Sequence, residues 1–377
     1  MVRRPALAAF AVAGVVLAPN GRDAGAGSLS DAYEGIAAKV IDFHAFLDAY
    51  ASTAFNTPEA NQGDLNVDDP SSGVGLAWVR ARIAHRPGPV GFLVDLGAGE
   101  TSDAFLAEDP ANVKHHTYAR VMSHVAQAFV TAVVPVGHGL EIDVGKFVTP
   151  VGFEEIESWT NWNYSRSLVY EWAEPSVHTG VRLTYPVSRQ VTLAAFWLDG
   201  WDANLVDGNG MRSFATAAQW RPGPGFELDA VYMAGLEHPP LRPGGLSLRN
   251  LGDLYASYWP NHFVGSAVST DAGIDEGIPG DAKFGGVAAY ARLQPEHWLA
   301  FSARLERYYD REGFTTSLPQ ILDEGTLTAE LKVDRFPVKF TTRFEYRHDE
   351  SSSKTYDPET GFLARKDSLI LSVLALY

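Results

Sequence analysis

From about residue 42 the chain repeats one pattern: short stretches in which apolar and polar residues alternate. Across 338–347, Val338, Phe340, Thr342, Phe344 and Tyr346 share one face, while Lys339, Thr341, Arg343, Glu345 and Arg347 share the other. Leu327, Ala329, Leu331 and Val333 oppose Thr328, Glu330, Lys332 and Asp334. Leu299, Phe301, Ala303 and Leu305 oppose Ser302, Arg304 and Glu306. Val177, Thr179, Val181, Leu183 and Tyr185 oppose His178, Arg182 and Thr184. A period of two with one apolar face marks a half-buried strand. After residue 26 no run approaches the ~20 apolar residues that a membrane-crossing helix requires.

The connections between these stretches fall into two classes. Short ones, most carrying Pro or Gly, lie at 85–89, 135–139, 186–190, 221–225, 294–296 and 334–337. Long ones cover 56–73, 99–123, 149–176, 202–212, 236–283, 310–325 and 350–366. Six short turns and seven long loops join 14 strands, an even number that leaves both termini on one side. Residues 248–259 read as a further strand, and a 16-strand ring would then need a second one before Lys283.

A soluble sandwich also shows this alternation. Two features favour a membrane barrel. Charges recur in mid-strand on the polar face, as a wet lumen requires. Aromatics gather near strand ends, at Trp197, Trp201, Trp220, Trp259, Trp298, Tyr308 and Tyr309, where interfacial girdles belong. The last segment puts Leu369, Leu371, Val373, Ala375 and the terminal Tyr377 on one face, in the manner of the strand that outer-membrane assembly machinery reads. The expected fold is an all-β, transmembrane, antiparallel up-and-down β-barrel of about 14 strands, or 16, with short periplasmic turns and long extracellular loops.

Composition adds the compartment. Arg3 and Arg4 precede an apolar stretch from Ala6 to Ala18, and Ala24-Gly25-Ala26 offers small residues for cleavage. Residues 1–26 are expected to be a signal peptide and 27–377 the barrel. The chain has no cysteine, which excludes a disulfide scaffold, a thiolate metal site and a cysteine nucleophile. The net charge is −16. Without residues 1–26, which hold three arginines and one aspartate, it becomes −18. A nucleic-acid binder needs a basic stripe, and none is present.

One stretch carries a resemblance. VGKFVTPVGFEEIES, NWNYSRSLVYEWAEPSVHTGVRLTYPVS and VTLAAFWLDGWD, from Val144 to Asp202, contain Gly145–Phe147, Pro150–Glu154, Asn163–Ser167, His178–Gly180 and Gly200–Asp202 in order. This series resembles the β-barrel porin family of the OmpL-like, second type, and the segment from Asp42 to Glu59 is similar to that family's first strand. After residue 210 the likeness is one of pattern and length. The resemblance implies an outer-membrane barrel with pore activity and supplies no catalytic residue.

A closed ring of ~14 strands is too wide for side chains alone to fill. The expected pore lining holds the acids Asp42, Asp48, Glu141, Asp143, Glu227, Asp229, Glu306, Glu330 and Glu345, and the bases Arg80, Arg82, Lys146, Arg182, Arg304, Lys332, Lys339 and Arg343. For each residue singly, cross-strand ion pairing is the competing role. The third long loop is the candidate constriction. If it folds inward, Glu154, Glu155, Glu157 and Glu174 face basic wall residues, with Arg166 as the loop's one cation.

Neither the His115-His116 pair nor the Asp/Asn-rich stretch at Asp199, Asp202, Asn204, Asp207 and Asn209 has metal-ligand spacing, so no metal and no cofactor is expected. The expected partners are outer-membrane lipid, small hydrophilic solutes, the assembly machinery and further copies of the chain in a homo-oligomer. The function that follows is a porin in the outer membrane of a Gram-negative-type bacterium. Two other readings compete with it. One is a barrel lipase recruiting Ser165 and His178 at the lipid-facing wall, although the register turns His178 inward. The other is a soluble exported β-protein that binds carbohydrate.

Overall fold

The computed structural model describes residues 41–55, 73–85, 88–108, 116–202, 209–238, 245–276, 281–334, 337–353 and 364–377. The expected signal segment, His115 and residues 203–208 lie outside them.

Sixteen strands follow one another around a closed, wholly antiparallel barrel. They are β1 (Asp42–Ala54), β2 (Gly73–His85), β3 (Val90–Ala98), β4 (Val125–Val134), β5 (Leu140–Val148), β6 (Val177–Pro186), β7 (Val191–Leu198), β8 (Ser213–Gly223), β9 (Phe226–Glu237), β10 (Ser247–Tyr258), β11 (Val264–Glu276), β12 (Ala282–Glu296), β13 (Leu299–Asp310), β14 (Gln320–Val333), β15 (Lys339–Ser351) and β16 (Arg365–Leu376). Three helices lie in loops: α1 (Glu100–Glu108) and α2 (His116–Ser123) between β3 and β4, and α3 (Leu168–Ala173) between β5 and β6. No helix among the described residues is long and apolar enough to cross a membrane.

The count is the 16 given as the alternative to 14: β10 matches the further strand read at 248–259, and β11 is the second one required before Lys283. The lipid-facing positions of β11 explain why its residues were not picked out. On β11 these include Ser266, Thr270 and Ala272 between Val264, Val268 and Ile274, so the contrast between the faces is low.

A closed ring pairs every strand on both edges, which is what a sheet in hydrocarbon demands. Closure falls between β1 and β16, with Phe46 opposite Leu376 and Ala54 opposite Ser368. Even the last residue joins the ladder: the Tyr377 amide donates to Ala45 O at 2.9 Å, and the Ala45 amide donates back at 3.0 Å.

The expected alternation holds around the ring. On β13 Phe301, Leu305 and Tyr309 are exposed while Ser302, Arg304, Glu306, Tyr308 and Asp310 are buried. Of the aromatics assigned to girdles, Trp197, Trp220, Trp298 and Tyr309 are exposed. Trp201 and Tyr308 are instead buried, at 8% and 0% exposure. Tyr308 shares the parity of Glu306 and so points inward; Trp201 lies beneath the Arg249 guanidinium, 5.1 Å from it.

The interior is not uniformly polar. Phe196 and Leu198 on β7, Ala215 and Ala217 on β8, Val231 and Met233 on β9 and Leu251 on β10 form a buried apolar cluster with Val151, Leu168, Val169 and Ala173 of the loop between β5 and β6. That loop therefore has an apolar bed on one side of the barrel. Strands β4 to β7 come close together here: a Cβ on Gly145 would strike Ala128 O, and one on Gly180 would strike Trp197 O.

The lipid-facing assignment can be tested at Leu305, 69% exposed in the middle of β13. Leu305→Arg should destabilise the refolded barrel by about 2–4 kcal/mol, as a cation does near the bilayer midplane. On a water-exposed surface the same change stays within about 0.5 kcal/mol. Urea unfolding in liposomes distinguishes the two.

Candidate functional site

The segment 149–176, between β5 and β6, folds into the barrel. Its neck is closed by the Thr149 amide donating to Ser176 O at 3.0 Å, which continues the β5–β6 ladder by one step. Its far end is deep: the Trp162 ring meets Trp259, in the short turn between β10 and β11, with centroids 5.3 Å apart. Most of this path has no regular secondary structure, so its backbone groups need partners from elsewhere.

Some partners are local. The Asn161 side chain accepts from the Glu155 amide at 2.8 Å and donates to Glu155 O at 2.7 Å. Ser167 caps α3 by accepting from the Tyr170 amide. Arg166 turns back on the loop, donating to Tyr164 O at 2.8 Å and Ile156 O at 2.5 Å.

The barrel wall supplies the rest. On β15, Arg343 donates to the carbonyls of Ser158 and Asn161 at 2.5 and 2.7 Å, and Arg347 donates to Arg166 O at 2.7 Å. On β13, Arg304 donates to the carbonyls of Ser165 and Arg166 at 2.7 and 2.9 Å and pairs with Glu154 at 2.8 Å. Wall carboxylates take the loop's amides. Glu345 accepts from Tyr164 and Ser165 at 2.6 and 2.8 Å, and Glu306 accepts from Leu168 at 2.7 Å at the start of α3. Asp48 on β1 accepts from the hydroxyls of Ser158 and Tyr164, and Asn163 reaches Thr328 on β14 at 2.7 Å.

Glu157 sits between Arg80 and Arg82 of β2, which also grip Asp95 of β3. Burial pushes the Glu157 carboxyl up, but the two guanidinium groups outweigh it and hold it at about 2. Glu155 faces the other way. Burial raises its carboxyl to about 8, and the carboxylates of Glu157 and Glu227 add to that against Arg166 and Arg82. Glu174 is raised well above its ordinary range by burial and then by Asp271 and Asp253. The four loop acids thus divide. Glu154 and Glu157 contact basic wall residues directly; Glu155 and Glu174 lie near acidic ones.

Most of the expected lining is paired. Asp143 holds Arg182 at 2.7 Å and Thr131 at 2.6 Å. Glu330 binds Arg292, Arg343 and Lys332. Glu227 takes Arg221, Gln219 and Tyr255, and Asp229 takes Gln219. Asp42 is exposed at the start of β1, and Glu141 and Lys339 are half-buried near strand ends.

Lys146 departs from the expected grouping. Three residues from Asp143, it has the opposite parity in β5 and is paired in register with Ala128 and Thr179. Its ammonium donates to Met122 O at 3.0 Å and lies 5.5 Å from the Phe105 ring, both in the 99–124 segment. Ser165 and His178, the pair considered for lipolysis, are fully buried. Ser165 is near Arg304, and His178 is near Thr149.

Sequence reasoning missed Asp95, Arg292, Glu324 and Arg347, and the acids Asp253, Asp271 and Asp275 of β10 and β11. Arg292, Glu324 and Arg347 lie in phase with inward residues and were open to the same parity argument. Asp271 and Asp275 were hidden with β11, while Asp253 sits in the stretch 248–259 that already read as a strand.

The fragments that carry the family resemblance are the ones that shape this loop. Gly145 and Gly180 let its supporting strands approach, and Glu154, Asn163 and Ser165–Ser167 bond it to the wall or cap its helix. His178 meets the neck at Thr149, and Asp202 accepts from the Ser176 amide at 2.6 Å. Solved structures that share the fold include outer-membrane proteins, some of them channels. The channel DcaP of Acinetobacter baumannii is 7% identical with a TM-score of 0.57, over 89% of this chain and 97% of that one. The anion-selective porin from Comamonas acidovorans is 10% identical with a TM-score of 0.58, over 90% and 99%. The trimer form of OmpT of Vibrio cholerae is 10% identical with a TM-score of 0.57, over 90% and 98%. Among curated proteins none matches the sequence. The family model described as "Putative beta-barrel porin-2, OmpL-like" matches residues 40–375, nearly the whole barrel, and the chain belongs to that family of outer-membrane porins.

Proposed function

We propose that this porin passes small hydrophilic solutes passively, through an aperture narrowed by the 149–176 loop and selective for cations. The observation that carries the reading is how the charges are distributed after pairing. Arg80, Arg82, Arg304, Arg343 and Arg347 are occupied by loop groups and by wall acids. On the opposite side, Glu155 and Glu174 of the loop stand near Glu227, Asp253 and Asp271 of β9 to β11. This side carries more carboxyl than cationic groups among the described residues, and as those carboxyls ionise the excess raises the local concentration of cations and lowers that of anions.

The rest of the reading follows the family. Residues 1–26 serve as an export signal, the β16 segment ending at Tyr377 addresses the chain to the assembly machinery, and the mature barrel sits in lipid and performs no catalytic step. The similar fold of OmpT, crystallised as a trimer, supports a homo-oligomer.

Planar-bilayer recordings under a salt gradient test the proposal. A reversal potential of cation sign is expected, and an anion-selective reversal potential overturns it. Deleting Glu154–Glu157 should raise single-channel conductance, and unchanged conductance would remove the constriction.

The preference should also depend on pH. Glu155, raised to about 8, is mainly neutral below that pH and charged above it. Cation preference should therefore grow between about pH 6.5 and about pH 9.5, and Glu155→Gln should flatten that rise. For the anchoring network, Arg304→Ala should cost about 3–5 kcal/mol in urea unfolding, because it strands buried carboxylates.

A further inference from the structure

Asp253 on β10 and Asp271 on β11 are directly opposite in register, both facing the barrel interior and both 4% exposed. Like charges in that position repel one another across the sheet. Neither oxygen of either carboxylate meets a hydrogen-bond donor of normal geometry, and Oε2 of Glu174 is likewise unpartnered. Glu174 arrives from the loop, immediately after α3, and one carboxylate oxygen from each residue lies within 4.8 Å of the others.

The backbone is shaped to allow this meeting. The Glu174 carboxylate occupies the place where a Cβ on Gly152 would stand, and Gly152 has a φ of 94°. Ser269, two residues from Asp271 on the same inward face, also buries a hydroxyl that has no partner. Among the described residues, no cationic side chain pairs with any of the three acids.

Such an arrangement is unstable as three bare anions. Apart from the Gly152 amide that approaches Asp253, these buried carboxylate oxygens have no donor of normal geometry outside the cluster and no counter-charge, and removing them from water uncompensated costs heavily. From this geometry we infer that Glu174, Asp253 and Asp271 form a binding site for a calcium ion, tying the loop's returning end to the β10–β11 wall. The donors are all oxygen, which selects a hard cation and disfavours zinc or copper. Two strands and a loop supply an irregular set, and calcium accepts irregular geometry where magnesium demands a near-ideal octahedron. The loop would then be fixed on two sides, by arginines at β13 and β15 and by the ion at β10 and β11.

The test uses the full-length refolded barrel in detergent near pH 8, stripped with chelator and titrated with calcium chloride by calorimetry. One equivalent of calcium should bind. Asp271→Asn should lower the affinity at least tenfold, and Glu174→Gln should do likewise. Calcium should raise the thermal unfolding midpoint of the wild type but not of Asp271→Asn. Heat-modifiable gel mobility verifies that each variant has folded; where Asp271→Asn does not fold, Glu174→Gln, whose change lies in the loop, provides the comparison.

No binding at millimolar calcium overturns the proposal, as does equal affinity in wild type and variants or tighter binding of magnesium. A proton shared between Asp253 and Asp271 would give no dependence on calcium and counts against it. None of these readouts involves conductance, so failure here is distinguishable from failure of the cation-selective pore.

Discussion

An irregular chain segment cannot lie inside a barrel unless something satisfies its amides and carbonyls. In this porin that constraint is met by the wall. The guanidinium groups of Arg304, Arg343 and Arg347 donate to carbonyls between Ser158 and Arg166, and Glu306 and Glu345 accept from amides between Tyr164 and Leu168. Arginine suits the task because its rigid fork presents five donors and it stays charged when buried. Each guanidinium also holds an acid: Arg304 holds Glu154 and Glu324, Arg343 holds Glu330, and Arg347 holds Asp349. Each buried guanidinium thus has a carboxylate beside it, which offsets the cost of taking it out of water.

Bonding the loop on one side would leave it free to hinge. Its other side rests on a different surface, the apolar inner face of β7 to β10, where Phe196, Leu198, Met233 and Leu251 pack against Val151, Leu168 and Val169. Placement then comes from two contrasting walls. The polar side fixes register through directional hydrogen bonds, and the apolar side contributes burial without specifying position. Strands with apolar inner faces are unexpected in a water-filled pore, and their purpose is to receive this loop.

The barrel itself was legible in the sequence wherever the two faces differed strongly. At β13 to β15, bulky Leu and Phe alternate with Arg, Glu and Thr, and the inward residues follow from parity alone, although β14 begins at Gln320, inside the stretch 310–325 expected to be loop. At β11 the outward Ser266, Thr270 and Ala272 weaken the contrast between the faces, and that strand is lost in an apparent loop, whereas β10, with Leu248 and Leu254 outward, already read as the stretch 248–259. Loop 149–176 could be located by length and composition, and its inward fold by analogy with porins. Its contacts could not be read. Which guanidinium meets which carbonyl depends on residues up to 185 positions apart, as for Arg343 and Ser158, and no local periodicity encodes a pairing of that kind.

This separation limits what a count of charges says about a pore. The predicted lining held nine acids and eight bases, close to balance. In the folded barrel most of the bases are spent on structure, since a cation bonded to a loop carbonyl and a buried carboxylate cannot also face a solute. Some acids are spent as well, Glu154, Glu157, Glu330 and Asp143 among them. Asp253 and Asp271, absent from that count, have no cation paired with them, whereas Asp275 holds Arg249. On the proposed reading Asp253 and Asp271, with Glu155 and Glu174, set the field that a solute encounters, and selectivity follows from the remainder left by folding and not from the total. If a calcium ion takes up three of those carboxylates, the remainder shrinks toward Glu155 and Asp229, and the same barrel would discriminate less strongly in calcium than in chelator.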